Sequence, residues 1–417
     1  MVKPMQFVLP LSHNSKPSWV VNMGLYLYDF MGGSRHLPKS HSIDLAHDRR
    51  GDILREPNAK AYIYSDCWVD DSRLVVANAM DARERSAEIL TRCEFSAAYR
   101  CGNVWEITLA QGATQLNVQA KVLINAAGPW ANRVKQGIAE QEPEFFLSLV
   151  TGSHIIVPRI YNHDSAYILQ NDDHRVIFAI PYEEDFTMIG TTDISVKTPE
   201  QPRLTGEEAV YLCGVVNSYF NINLKPSDVV TSFSGVRPLY NSAMKEAQYA
   251  NRDYHVETDF DDEGNLPVIH IYGGKLTTYR RLSEKVTNSI CRILKMRKSA
   301  WTSTEPLPGG NFNRLNVSAE LQGLMRFYNK LPNHLVRRLF LQYGTKANII
   351  ADVILKNGDF EGFGRNLTKA EVNYLYKYEW ARTAEDILWR RTKLGLHYSN
   401  AQTSRLSEYL AQLSVAS

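Results

Sequence analysis

The sequence predicts a mixed α/β chain that closes with an all-helical C-terminal domain. Three stretches carry that expectation. Residues 267–272 are β-rich, Gly273-Gly274 interrupts them, and residues 281–294 are helical in spacing. Residues 93–123 alternate apolar and polar side chains in three short runs, the pattern of an antiparallel meander. From Ser318 onward the spacing is helical, with Asn357-Gly-Asp as a break.

The elements follow in order. Residues 17–31 read as a helix started near Ser15 and stopped by Gly32-Gly33. Trp19, Val20, Met23 and Leu27 fall at helical spacing there and are expected in the core rather than on a membrane face. Asp70-Asp71 place acids at the start of a second helix over residues 74–90. The meander then leads into residues 122–127, an apolar run without alternation, as in a strand buried on both faces. Residues 166–170 and 176–182 flank Asn171-Asp-Asp-His as a hairpin, and residues 186–192 continue the sheet. Thr205-Gly-Glu-Glu has capping-box spacing before a helix at 209–220. Residues 229–236 form another strand, and Pro306-Leu-Pro-Gly-Gly-Asn reads as a linker.

Composition narrows the class. The 417 residues are 44% hydrophobic and 22% charged, within the range of globular proteins and long enough for two or three domains. A net charge of +2 offers no electrostatic case for nucleic acid. The five cysteines are scattered without Cys-x-x-Cys spacing, which fits a reduced cytoplasm and supports no metal site. No apolar run reaches the length of a membrane span; residues 25–31 are too short, so any membrane contact is expected to be peripheral.

The most informative segment is Ile269-His-Ile-Tyr-Gly-Gly-Lys-Leu-Thr-Thr-Tyr-Arg-Arg. Paired glycines at a strand-to-helix turn let the backbone approach a ligand closely. N–H groups at the start of the helix favour an anion or a polarised carbonyl, and Lys275 adds a positive charge at the same spot. Gly274-Lys-Leu-Thr-Thr-Tyr-Arg resembles the C-terminal flavin-contacting segment of aerobic, FAD-dependent glycerol-3-phosphate dehydrogenases, within the D-amino-acid-oxidase-like flavoproteins. Further segments resemble that family in its order: Tyr64-Ser-Asp-Cys-Trp-Val-Asp-Asp-Ser-Arg-Leu, Asn125-Ala-Ala-Gly-Pro-Trp, Gly152-Ser-His-Ile-Ile-Val-Pro-Arg, Ile189-Gly-Thr-Thr-Asp and Ser234-Gly-Val-Arg-Pro-Leu. Glu379-Trp-Ala-Arg and Leu388-Trp-Arg-Arg-Thr-Lys-Leu-Gly resemble its C-terminal helical domain, so the resemblance covers nearly the whole chain.

The resemblance implies a fold made of an FAD-binding dinucleotide domain, an antiparallel-sheet substrate (cap) domain and a C-terminal helical domain. Residues 1–61 and 138–262 are assigned to the cap, 62–137 and 263–297 to the FAD domain, and 298–417 to the helices. Family members open with a Gly-x-Gly-x-x-Gly turn that holds the FAD pyrophosphate. That pattern occurs nowhere in the 417 residues, and residues 1–11 resemble the family's interior. The chain is therefore expected to lack the N-terminal segment, its arginine-bearing substrate region included, to bind FAD poorly or not at all, and to have an incomplete dinucleotide fold.

The implied reaction is oxidation of sn-glycerol 3-phosphate to dihydroxyacetone phosphate, with hydride passing to FAD and electrons to a quinone. A flavin oxidase using oxygen, and a truncated non-catalytic remnant, are the alternatives. The implied location is cytoplasmic, with room for peripheral contact on the inner membrane's cytoplasmic face and for a homodimer. His154, in Gly-Ser-His, is the candidate base; taken alone, such a histidine is more often structural. Arg237 is a candidate substrate contact, because guanidinium matches phosphate or an alkoxide; alone, it would read as a surface ion pair. Lys275 would hold the phosphate or polarise the flavin edge. Gly274, Leu276 and Thr277 would face the isoalloxazine, and Ala127 and Gly128 the adenosine or pyrophosphate half. Trp130 is expected to pack, and Arg390-Arg391 to pair with Glu385 and Asp386.

Overall fold

The computed structural model describes residues 1–11, 17–31, 37–56, 60–138, 147–173, 175–240, 253–260, 266–358, 360 and 362–416. Ser15, Gly32-Gly33, His174 and Asp359 lie outside these. Two compact units emerge: residues 5–66 with 92–303, and residues 1–4 with 67–91 and 304–417.

In the first unit a nine-stranded sheet forms among the described residues. Its main path runs β12 (Ile194–Val196), β8 (Leu147–Pro158), β11 (Phe186–Gly190), β10 (Val176–Tyr182), β9 (Ala166–Gln170), β1 (Val2–Pro10), β3 (Lys60–Val69), β2 (His41–Asp44). β13 (Thr231–Tyr240) pairs antiparallel along nearly all of β8. The hairpin of residues 166–182 is present as β9 and β10. Ile155, Val157 and Ile189 face one side, where Leu212, Val215 and Val216 of helix α4 (Gly206–Tyr219) cover them. The capping box at the start of α4 has both of its bonds, from Glu208 N to Thr205 Oγ1 and from Thr205 N to Glu208 Oε2.

The meander folds as expected into β4 (Glu94–Cys101), β5 (Val104–Gln111) and β6 (Thr114–Ala120). Beside it, β14 (His255–Asp259), β15 (Val268–Tyr272) and β7 (Leu123–Asn125) form a three-stranded sheet in which β15 and β7 run parallel. Buried Trp105 ties the two sheets by donating to the Pro267 carbonyl at 3.0 Å. Helices α3 (Ala131–Gln136) and α5 (Tyr279–Ile293) follow the turns after β7 and β15.

Three expectations are corrected. β7 is not buried on both faces: Ile124 is 44% exposed, because β7 carries a partner on one edge only among the described residues. The second helix, α2 (Asp71–Glu84), ends six residues early, at Arg85 followed by Ser86 in the left-handed region. Helix α1 (Ser18–Met31) buries no residue. Its hydroxyls fasten it instead, Tyr28 to the Ser65 carbonyl at 3.1 Å and Ser18 to Tyr62 at 2.7 Å. Trp19, Met23, Tyr26 and Phe30 face outward.

The second unit gathers α2 with α6 (Val317–Phe327), α7 (Asn333–Tyr343), α8 (Ala347–Asn357), α9 (Lys369–Tyr378) and α10 (Asn400–Ala416). Gly358 takes the left-handed conformation that ends α8, as the Asn-Gly break implied. Val76 and Met80 of α2 join Leu335, Leu339, Ile350, Leu375 and Leu406 in one apolar core. Two arginine–carboxylate pairs are sunk in this unit, Arg73 with Glu379 and Arg338 with Glu371. Arg390 pairs with Glu385 at 4.0 Å, while Arg391 turns inward to the Glu379 carbonyl.

Candidate active site

The face of β8 away from α4 carries Gly152, His154 and Ile156, because successive side chains alternate. Register sets Gly190 of β11 on one side of His154 and Phe233 of β13 on the other. The imidazole stacks on Phe233 at 4.8 Å with an interplanar angle of 9°. It also lies across Gly190, where a Cβ would come within 2.2 Å of His154 Cδ2. Glycine at 190 thus creates the slot that the ring occupies.

Arg237 shares this face, opposite Val150 and four residue pairs along from His154. Its Nη1 pairs with Asp193, and its Nη2 donates to Thr191 Oγ1 at 3.1 Å. The guanidinium lies over Gly152, whose absent Cβ would sit 2.7 Å from Nη2. Both members of the ion pair stay about two-fifths exposed. Between Thr191 and Asp193, Thr192 points the other way, donating to Glu208 at 2.5 Å and accepting from the Ser153 N–H at 2.9 Å. Burial pushes the Glu208 carboxyl up, but its bonds from Thr192 and the Thr205 N–H outweigh that and hold it below the usual carboxylate range.

The end of β13 borders both glycine turns. Gly273 has φ +69°, and its absent Cβ would lie 3.0 Å from the Asp253 carbonyl and 3.5 Å from that of Pro238. Only glycine combines that φ with that space. Gly274 follows at φ +107°. Gly274, Lys275, Leu276 and Thr277 are all exposed, and Thr278 closes the turn by donating N–H and hydroxyl to the Lys275 carbonyl, each at 3.0 Å. Among the described residues the Lys275 ammonium has no hydrogen bond or ion pair. The other turn, Ala127 to Trp130, also packs against β13, with Gly128 at φ +56°. Trp130 is 42% exposed and donates to Glu200 at 3.1 Å, so the expectation that it packs is corrected.

Two residues that sequence reasoning passed over join these turns. Asn125 Oδ1 accepts the Ala127 N–H, and its Nδ2 donates to the Ala131 carbonyl at 2.8 Å and to His270 Nδ1 at 3.0 Å. His270 is fully buried on β15, directly opposite Asn125. Burial, with Lys135 nearby, lowers its pKa to about 4, so it is neutral at neutral pH. A neutral ring leaves Nδ1 able to accept from Asn125. The only sequence signal was a polar residue in each of two apolar strands.

Comparisons with known proteins agree with this architecture. Residues 3–280 match the family described as FAD dependent oxidoreductase, and residues 300–414 match the C-terminal domain of alpha-glycerophosphate oxidase. A glycerol-3-phosphate dehydrogenase of Pseudomonas aeruginosa is 40% identical, over 98% of this chain and 80% of the relative. A D-erythritol 1-phosphate dehydrogenase of Brucella abortus is 38% identical, over 98% and 82%. The aerobic glycerol-3-phosphate dehydrogenase of Escherichia coli is 36% identical, over 98% and 81%. The solved glycerol-3-phosphate dehydrogenase of Bacillus halodurans, complexed with FAD, shares the fold with a TM-score of 0.73 at 22% identity, covering 99% of this chain and 81% of that one. The chain is thus a member of the FAD-dependent oxidoreductase family. Within that family it belongs with the glycerol-3-phosphate dehydrogenases.

The two turns have the chemistry expected of contacts to FAD, Gly274–Thr277 for its ring end and Gly128 for its adenosine or pyrophosphate half. Two turns hold glycines at positive φ against one strand, and Gly128 has open space where a Cβ would point. The exposed stretch Gly274–Thr277 presents backbone, hydroxyl and cation at the start of α5.

Proposed function

We propose that this protein oxidises sn-glycerol 3-phosphate to dihydroxyacetone phosphate and delivers the electrons to a quinone. The observation that carries the reading is the shared use of β13. One of its faces bears Arg237 and stacks Phe233 on His154, and its end borders both glycine turns. The bound flavin supplies a hydride acceptor. His154 takes the hydroxyl proton from the secondary alcohol as a general base. Arg237 and Lys275 hold the phosphate and the negative charge that develops on oxygen. Ala127, Gly128, Gly274, Leu276 and Thr277 line the cofactor's position. Residues 62–137 and 263–297 are assigned to the cofactor-holding part and 1–61 and 138–262 to the cap; the parallel pairing of β7 and β15 supports joining the first two, while residues 67–91 pack in the helical unit.

The outward face of α1 is the surface for peripheral membrane contact. Trp19, Tyr26, Phe30 and Met31 are 68–79% exposed, two amphipathic rings and two apolar side chains suited to a lipid headgroup layer. No helix among the described residues is long and apolar enough to cross a membrane.

Dye-linked oxidation tests the reading, with glycerol 3-phosphate, erythritol 1-phosphate and glycerol compared side by side. Turnover of glycerol 3-phosphate with a quinone analogue and no oxygen uptake supports it. Oxygen consumption in its place makes the protein an oxidase, and a preference for erythritol 1-phosphate moves the substrate to the longer polyol. Lys275→Ala is expected to raise KM for the phosphorylated substrate about ten- to a hundredfold, the worth of one charge-assisted hydrogen bond.

A further inference from the structure

We propose that Asp193 and Thr191 are positioning residues, which fix the Arg237 guanidinium as a preset seat for the substrate's phosphate. This rests on the function proposed above. An isolated, half-exposed ion pair would ordinarily mean little. Here three further observations give it a direction. First, Arg237 keeps donors to spare. Arginine has five N–H groups. Asp193 and Thr191 take one each, on Nη1 and Nη2, leaving three for an incoming anion. Thr191 spends its own hydroxyl hydrogen on the Thr192 carbonyl at 3.1 Å, so its oxygen is committed to accepting from Arg237.

Second, the guanidinium approaches the backbone closely. Gly152 lies beneath it, and any side chain there would meet Thr191 Oγ1 at 2.6 Å and Arg237 Nη2 at 2.7 Å. Third, the segment that bears both partners is anchored from behind. Thr192 is 1% exposed and bonds Glu208, which is 5% exposed and completes the cap of α4. The run Thr191-Thr192-Asp193 therefore has one residue locked to the helix and its two neighbours locked to Arg237. A side chain immobilised before binding loses less entropy when it meets its anion.

The experiment is a mutant cycle read by kinetics and by calorimetric binding of glycerol 3-phosphate. Asp193→Ala is expected to raise KM and Kd for glycerol 3-phosphate about tenfold, a larger loss than the one it causes for glycerol. Adding Asp193→Ala to Arg237→Ala should cost nothing more, because Asp193 acts through the arginine. Thr191→Val should give a smaller loss of the same kind, and Asp193→Glu a partial recovery. Independent, multiplying losses in the double variant would overturn the proposal, as would an equal loss for glycerol. A wild-type protein inert towards glycerol 3-phosphate strikes the proposed function instead. Calorimetry then still reads the seat, and a wild-type protein that binds no glycerol 3-phosphate removes it as well.

Discussion

Arg73 and Arg237 each grip a carboxylate, and their surroundings make them different devices. Arg73 and Glu379 are 7% and 0% exposed, with the Tyr343 ring 4.9 Å from the guanidinium. Burial would lower the arginine's pKa, but the Glu379 charge outweighs it and raises the pKa above its ordinary value. Arg237 and Asp193 are 39% and 42% exposed, on a sheet face cleared by glycines. A buried pair cannot be broken cheaply, because the survivor is left charged in a poor solvent. A half-exposed pair can share its donors with a ligand, since water screens the change. An arginine–carboxylate pair thus serves packing in one region and, in the proposed function, recognition in the other.

The largest expected effect belongs to the open face. His154→Ala should lower turnover by about 10²- to 10⁴-fold, as loss of a positioned base does. Thermal melting should fall less than for a residue of the α4-covered core, because the ring is only partly buried. An unchanged kcat would remove His154 from the chemistry and weaken the contrast.

Glu379→Ala probes the closed region. It should cost about 3–5 kcal/mol in chemical denaturation by stranding Arg73. Asp193→Ala should cost about 0–1 kcal/mol by the same measurement. Equal losses would mean that exposure is not what separates the two pairs.

Gly190→Ala should sharpen the comparison by moving the proposed base without removing it. The new Cβ would overlap His154 Cδ2, so the ring must leave its slot on Phe233. Turnover should fall on the order of 10²-fold, with about 1–3 kcal/mol of strain. Wild-type kinetics in this variant would show that the ring's placement is uncritical.

The remaining effect is a pH dependence. Burial lowers His270 and His163 each to about 4, the latter with help from Arg49 and Arg50. The unfolded chain therefore takes up these protons first as the pH falls. Their contribution to stability is present above about pH 6.5 and is lost between there and about pH 4. His270→Gln should flatten this loss in melts across that range. A melting temperature constant from pH 7 to pH 4 in the wild type would contradict it.

Much of the site was legible before the fold. Glycine pairs after a strand, a Thr-x-x-Glu cap and an alternating meander are decided within a few residues, and each formed where expected. His154, Arg237 and the two turns were all named from their motifs, but not their arrangement around β13. Asn125 and His270 were missed because each looks like an ordinary polar residue in its own strand. They acquire meaning only when β7 and β15 pair in parallel and set them opposite one another. The outward face of α1 was misread for a related reason. Helical spacing of apolar residues shows that they share a side and says nothing of what covers it.

The sequence by itself determined where backbone could turn sharply, where helices could start, and which side chains were chemically able to move a proton or hold a phosphate. Those are local properties, set by φ, hydrogen-bond capacity and charge. Tertiary structure alone decided which charges were buried and which stayed available. Arg73 meets Glu379 across 306 residues of chain, and Arg237 meets Asp193 across 44. Nothing in either sequence neighbourhood marks one pair for the core and the other for an open face. That difference arises from the surface each pair faces, because the worth of a charge depends on the dielectric around it.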